Sequence, residues 1–123
     1  MNFMQLTSIA RQVVAAARRR LPAAVRVAAD SVPICYEPQP SNALLGEDLE
    51  PDILGLFIGH ELHGELAEIQ PLPPQIMLFL ENIWDYAEGD ESAYRDEVRL
   101  TYLHELGHYL GWDEEELARR GLE

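Results

Sequence analysis

Apolar residues recur at three- and four-residue steps near the start of the chain, at Phe3, Leu6, Ala10, Val13 and Ala17. That spacing predicts an amphipathic helix over about residues 3–20. Pro22 suits the first turn of a second, short helix running through Ala29, where its missing N–H would be unpaired anyway. A strand at Val25–Ala29 is the competing reading. Val32–Tyr36 is short, apolar and β-rich, and it predicts a strand after Asp30-Ser31. Residues 37–52 contain Pro38, Pro40, Pro51, the pair Ser41-Asn42 and Gly46, a composition that predicts a loop.

Ile53–Ile58, bounded by Asp52 and Gly59, is the clearest strand pattern. Residues 60–75 lack periodicity and hold Pro71, Pro73 and Pro74, so a surface loop is expected. Ile76–Leu80 predicts a third strand, and Glu81–Glu88 one or two helical turns. After the punctuation of Gly89 to Ser92, Ala93–Leu110 reads as a long helix with Tyr94, Val98, Leu103, Leu106 and Leu110 on its buried side. Gly111 suits the left-handed position that ends it, and a last short helix is expected over Asp113–Arg120. There is no internal repeat and no linker, so a single domain over residues 1–123 is expected.

Charge narrows the function classes. Nine Arg and no Lys stand against 22 acids, for a formal net charge of -13. Such a surface repels phosphate backbones, so nucleic acid is not an expected partner. The single Cys35 excludes an internal disulfide and a Cys-based zinc site, and within an apolar strand it reads as a small buried hydrophobe. No apolar run reaches the roughly 20 residues of a membrane span, so a soluble, cytoplasmic protein is expected. Residues 1–29 hold five Arg and no acid. A targeting segment would place that charge ahead of the apolar stretch, whereas Arg18, Arg19 and Arg20 fall at its end, where they oppose the negative end of the helix dipole.

The chemistry concentrates in His104-Glu105-Leu106-Gly107-His108. Two imidazoles four residues apart point the same way from a helix, and both can meet one Zn²⁺ at about 2.0–2.1 Å. Glu105 flanks the metal, where a general base takes a proton from water. A catalytic zinc needs a third protein ligand and one open position. Gly111 turns the chain directly into the acids Asp113 to Glu116. Asp113 and Glu116 have the spacing of a capping pair, which leaves Glu114 free for the metal, with Asp113 as the alternative third ligand. Either choice makes a two-His, one-carboxylate set, which serves non-haem iron as well as zinc.

His104-Glu-Leu-Gly-His108-Tyr-Leu-Gly111-Trp-Asp113-Glu114 resembles the HExxHxxGxxD signature of the small bacterial zincin-like metallopeptidases known as minimal zincins. Leu54-Gly-Leu-Phe-Ile-Gly59, following Pro51-Asp52, resembles that family's strand ahead of its active-site helix. The resemblance implies an α+β fold: a compact unit with a small mixed β-sheet against the long HExxH helix, a helical N-terminus and a short C-terminal helix. It implies His104, His108 and Glu114 as Zn²⁺ ligands, Glu105 as base, and a peptide or protein substrate. At position 114 the chain departs from the pattern, with Glu for the usual Asp.

That departure favours an alternative, a non-catalytic zinc-binding or regulatory protein of the same fold. A structural zinc site is a further alternative, which a fourth ligand such as His60 or His63 would identify. Both histidines are otherwise expected to be solvated. Tyr102 and Tyr109 flank the motif as potential oxyanion donors, but their spacing favours packing, as for Trp84 and Trp112. Glu88, Asp90, Glu91, Asp96 and Glu97 read as a solvated face. The short chain leaves little material for specificity walls, so an open cleft, a homo-oligomer or a partner completing it is expected.

Overall fold

In the computed structural model, the structure describes residues 1–46, 49–62 and 73–120. Asn2 opens the first helix, α1 (Phe3–Arg19), through a capping box: its side chain accepts from the Gln5 N–H, and the Gln5 side chain accepts from the Asn2 N–H. The predicted stripe is the buried one, with Leu6, Ala10 and Ala17 joined by Val14. Pro22 stands at the cap of α2 (Ala23–Asp30) rather than within its first turn, so the helical reading of this stretch holds and the strand reading does not.

Strand β1 (Ile34–Glu37) starts two residues later than its apolar run, and Cys35 is half-buried on it rather than buried, donating to a Glu37 carboxylate oxygen. The expected loop after it contains one helical turn, α3 (Asn42–Leu45). Ser41 supplies the reason, because its hydroxyl accepts from the Leu44 N–H. Strand β2 (Gly55–Ile58) and strand β3 (Gln75–Phe79) follow. Most of the 60–75 stretch between them, His63 included, lies outside the described residues.

Strand order is β1-β3-β2, parallel for β1 with β3 and antiparallel for β2 with β3. The sheet is therefore mixed, with β3 central and β2 at an edge. Leu80, which continues the apolar run of β3, instead begins α4 (Leu80–Tyr86) and is fully buried there. The long helix α5 (Glu91–Leu110) begins two residues ahead of its apolar pattern because Asp90 caps it, accepting from the Ala93 N–H at 2.8 Å. Tyr94, Val98, Leu103 and Leu106 are buried as predicted, while Leu110 is only partly so. A short α6 (Glu114–Arg119) ends the described chain.

Helix α5 is the member that the others share. It meets β2 and β3, and also α1, α4 and α6. Arg18 ties its far side down: Nε donates to the Tyr102 hydroxyl at 3.0 Å, and Nη2 donates to the carbonyls of Val32 and Ala29. The arginine cluster thus does more than oppose a dipole, since Arg18 links three elements. Among the described residues no helix is long and apolar enough to cross a membrane.

Strand β2 approaches α5 through Gly55. A Cβ placed there would lie 2.7 Å from Thr101 Cγ2 and 3.2 Å from Glu105 Cγ, so only glycine permits the separation. Gly55→Ala should cost about 1–3 kcal/mol, the usual cost of overpacking. In denaturant melts, a second change, Thr101→Ser, should recover part of that loss by removing the clashing methyl. A Gly55→Ala protein as stable as the parent would show that the strand approach is not tight.

Candidate metal centre

Helical geometry sets the histidines. The rings of His104 and His108 are 4.6 Å apart between centroids and inclined at 69° on the outer face of α5. Glu105 lies between them in sequence but points inward, and it is only 7% exposed. Its carboxylate oxygen Oε1 sits 3.1 Å from His108 Nδ1. One ligand atom from each of His104, Glu105 and His108 falls within 4.8 Å of the others, a group that could hold a metal ion.

The sheet supplies the other partner of Glu105. Leu54 accepts from the Phe79 N–H, so Leu54 and Phe79 form a hydrogen-bonded antiparallel pair. Three residues further along, Phe57 falls in a non-bonded pair with its N–H turned away from β3. That N–H donates to the Glu105 carboxylate. Burial pushes the Glu105 carboxyl above its usual value, and the two imidazoles and the Phe57 amide act in the opposite sense without cancelling it.

The chain then turns back over the end of α5. Gly111 is left-handed at φ 74°, and the Trp112 N–H bonds the Gly107 carbonyl while the Gly111 N–H bonds that of His108. This is the Schellman arrangement expected of a glycine there. Asp113 caps α6, accepting from the Glu116 N–H at 2.8 Å. Leu117 of α6 seats on Gly107, where a Cβ would be 2.9 Å from Leu117 Cδ1. With Asp113 engaged, Glu114 faces His104, its Oε1 3.8 Å from His104 Nδ1. Glu114 stays outside the tight His-Glu-His group.

His104, His108, Gly111, Asp113, Glu114 and Leu117 border a cleft of about 560 Å³, walled also by Phe57, Gly59, Trp112 and Glu61, with Glu105 behind the two histidines. Glu61 carries no spacing signal in the sequence. It reaches the cleft because the Leu62 N–H donates to the Tyr109 carbonyl at 2.8 Å, laying the post-β2 segment along the helix end. A Cβ on Gly111 would lie 3.2 Å from Glu61 Oε2. His60 is half-buried and does not border the cleft, and His63 lies outside the described residues.

Tyr102 and Tyr109 are packing groups. Tyr102 is fully buried against Arg18, and Tyr109 packs on Phe57 with ring centroids 5.7 Å apart. Trp84 packs edge-on to Tyr94, and Arg120 stacks over Trp112 at 4.0 Å.

The donor set suits a borderline divalent cation: two imidazole nitrogens beside a carboxylate, at a cleft wall that water reaches. The zincin-like metallopeptidase family model matches residues 29–122. The chain belongs to that family. No curated protein matches it. The zincin-like segment begins at the end of α2 and includes the whole sheet, α5 and α6. Helix α1 precedes the match, yet it packs against the motif helix of this zincin-like fold.

Burial of Glu105 yields a test of the metal-free protein. A carboxyl whose folded pKa is raised contributes stability below its unfolded value of about 4.3, and that contribution is lost as pH rises through the folded value. Metal-free Glu105→Gln should therefore melt above the metal-free parent at pH 7–8, with the difference shrinking as pH falls. Equal melting temperatures at pH 8 would mean that the buried charge is fully compensated by its partners.

Proposed function

We propose that this chain is a zinc-dependent metallopeptidase in which His104, His108 and Glu114 hold the metal and Glu105 is the general base. The observation that carries the reading is the buried Glu105 carboxylate, placed beside two water-facing imidazoles that themselves border an open cleft. Family membership supports it. When bound, zinc supplies Lewis acidity that polarises a scissile carbonyl and makes water more acidic.

The residues of the chain divide the remaining work. Desolvation raises the proton affinity of Glu105 toward the range useful at neutral pH, so it takes a proton from water and returns it to the leaving amine. The Phe57 N–H keeps the carboxylate oriented while β2 stays in register. An extended peptide would lie along the cleft beside the edge strand β2, gaining main-chain hydrogen bonds there. Asp113 is held by its cap, which favours Glu114 as the third ligand. Glu105 is buried behind the two histidines, whose rings stay partly exposed on the cleft side, and this leaves room for a substrate or a completing partner.

Purified protein should bind about one zinc per chain, and His104→Ala or His108→Ala should abolish binding. Undiminished zinc in both variants, measured by titration, would end the proposal. Glu105→Gln should keep its zinc while chelator-sensitive hydrolysis of a peptide library falls about 10²–10⁴-fold. A parent protein without such hydrolysis would point to a zinc-binding protein that does not turn over peptides.

The two acids should fail differently. Glu114→Ala should lose most zinc affinity with its apo melting unchanged. Asp113→Ala should retain zinc but lose about 0.5–2 kcal/mol, the usual cost of removing an N-cap side chain. The reverse pattern would make Asp113 the ligand.

A further inference from the structure

On the opposite side of α5 lies a second cleft, of about 360 Å³, between α1, the end of α2 and β1. Tyr102, which backs it, stands roughly 200° around the helix from His104, so this cleft does not share the metal centre. Its walls combine Arg11, Arg18, Tyr36 and Asp30 with the apolar Ala15, Pro33 and Ile34.

Arg18 is fixed before any ligand arrives. Nε and Nη2 are spent on the Tyr102 hydroxyl and two carbonyls. Nη1 has no partner among the described residues, and no described side-chain donor is buried without one, so Nη1 meets the water of the cleft. Arg11 lies over the Tyr36 ring at 5.6 Å. The Tyr36 phenol feels the fields of both arginines. Among the described residues no carboxylate comes within ion-pair distance of either guanidinium. Two cations are thus held near one phenol with no carboxylate in direct ion-pair contact among the described residues, in a chain with 22 acids. Asp30 borders the same cleft and likewise makes no ion pair among the described residues.

We infer that this cleft binds the zwitterionic backbone of a free amino acid with a small apolar side chain. Its carboxylate meets Arg18 Nη1, Arg11 and the Tyr36 hydroxyl; its ammonium group meets Asp30; its side chain meets Ala15, Pro33 and Ile34. Charge decides against a bare phosphate, which would be attracted by the arginines but repelled by Asp30 and by the net charge of -13. The site does not depend on the peptidase reading.

Calorimetric titration of the full chain tests it, using L-leucine, N-acetyl-L-leucine, L-leucinamide and inorganic phosphate as probes. L-leucine should bind one to one, with N-acetyl-L-leucine and L-leucinamide each weaker by about tenfold or more, a loss that corresponds to one charge contact. Arg11→Gln and Asp30→Asn are exposed changes that spare the fold, and each should weaken L-leucine similarly. Asp30→Asn should leave N-acetyl-L-leucine unchanged. Absence of L-leucine binding up to about 10 mM, beyond the millimolar affinity expected of a small charge-paired ligand, would overturn the proposal. So would undiminished binding to Arg11→Gln, which is how capture at the metal centre would register, or phosphate binding tighter than that of L-leucine.

Discussion

The close approach of strand β2 to helix α5 at Gly55 is the constraint on which the rest of the structure depends. Because that position carries no Cβ, the strand edge comes near enough for the Phe57 N–H to reach Glu105. A carboxylate 7% exposed is costly unless it is hydrogen-bonded. Here an edge amide and the His108 imidazole provide the partners. The same approach sets the cleft wall, since Phe57 and Gly59 border it directly. A wider separation would leave Glu105 in water, with an ordinary pKa and no fixed direction.

The far end of the motif helix imposes the second geometry. Left-handed Gly111 releases the chain after one turn beyond His108, and Asp113 then starts α6 by capping it. Three acids in the first turn of α6 lie at the positive end of its dipole, a placement that stabilises the helix. Leu117 packing on Gly107 anchors this short helix to the long one. The division between Asp113 and Glu114 follows from this anchoring: one acid holds the backbone, and the next is left facing His104.

On the other side of α5, the basic N-terminal segment holds the helix in place. Arg18 spans α1, the end of α2 and Tyr102, so the long acid-free N-terminal segment braces the helix that carries the acidic cleft. Arg11 and Arg18 border the cleft on this side of the helix, whereas Glu61, Asp113 and Glu114 border the one at the metal centre. That arrangement keeps Arg11 and Arg18 away from the carboxylates of the cleft, and it leaves both guanidinium groups free of ion pairs among the described residues.

Local pattern by itself determined most of the elements. The periods of α1 and α5, the glycine stop at 111 and the Asp113 cap depend on interactions within a few residues, which the order of side chains records directly. The His104 and His108 pairing was legible for the same reason, because a helix brings i and i+4 together wherever it sits. Element boundaries were less legible: Leu80 belongs to a helix, and Ser41 caps a turn inside an expected loop. Only the tertiary structure decided that β3 is central, that Glu105 is buried against Phe57, that Glu61 borders the cleft, and that Arg18 binds Tyr102. Each of these joins groups far apart in the chain. Such contacts are selected by the burial and hydrogen bonding of the whole fold, and they leave no periodic trace in the sequence.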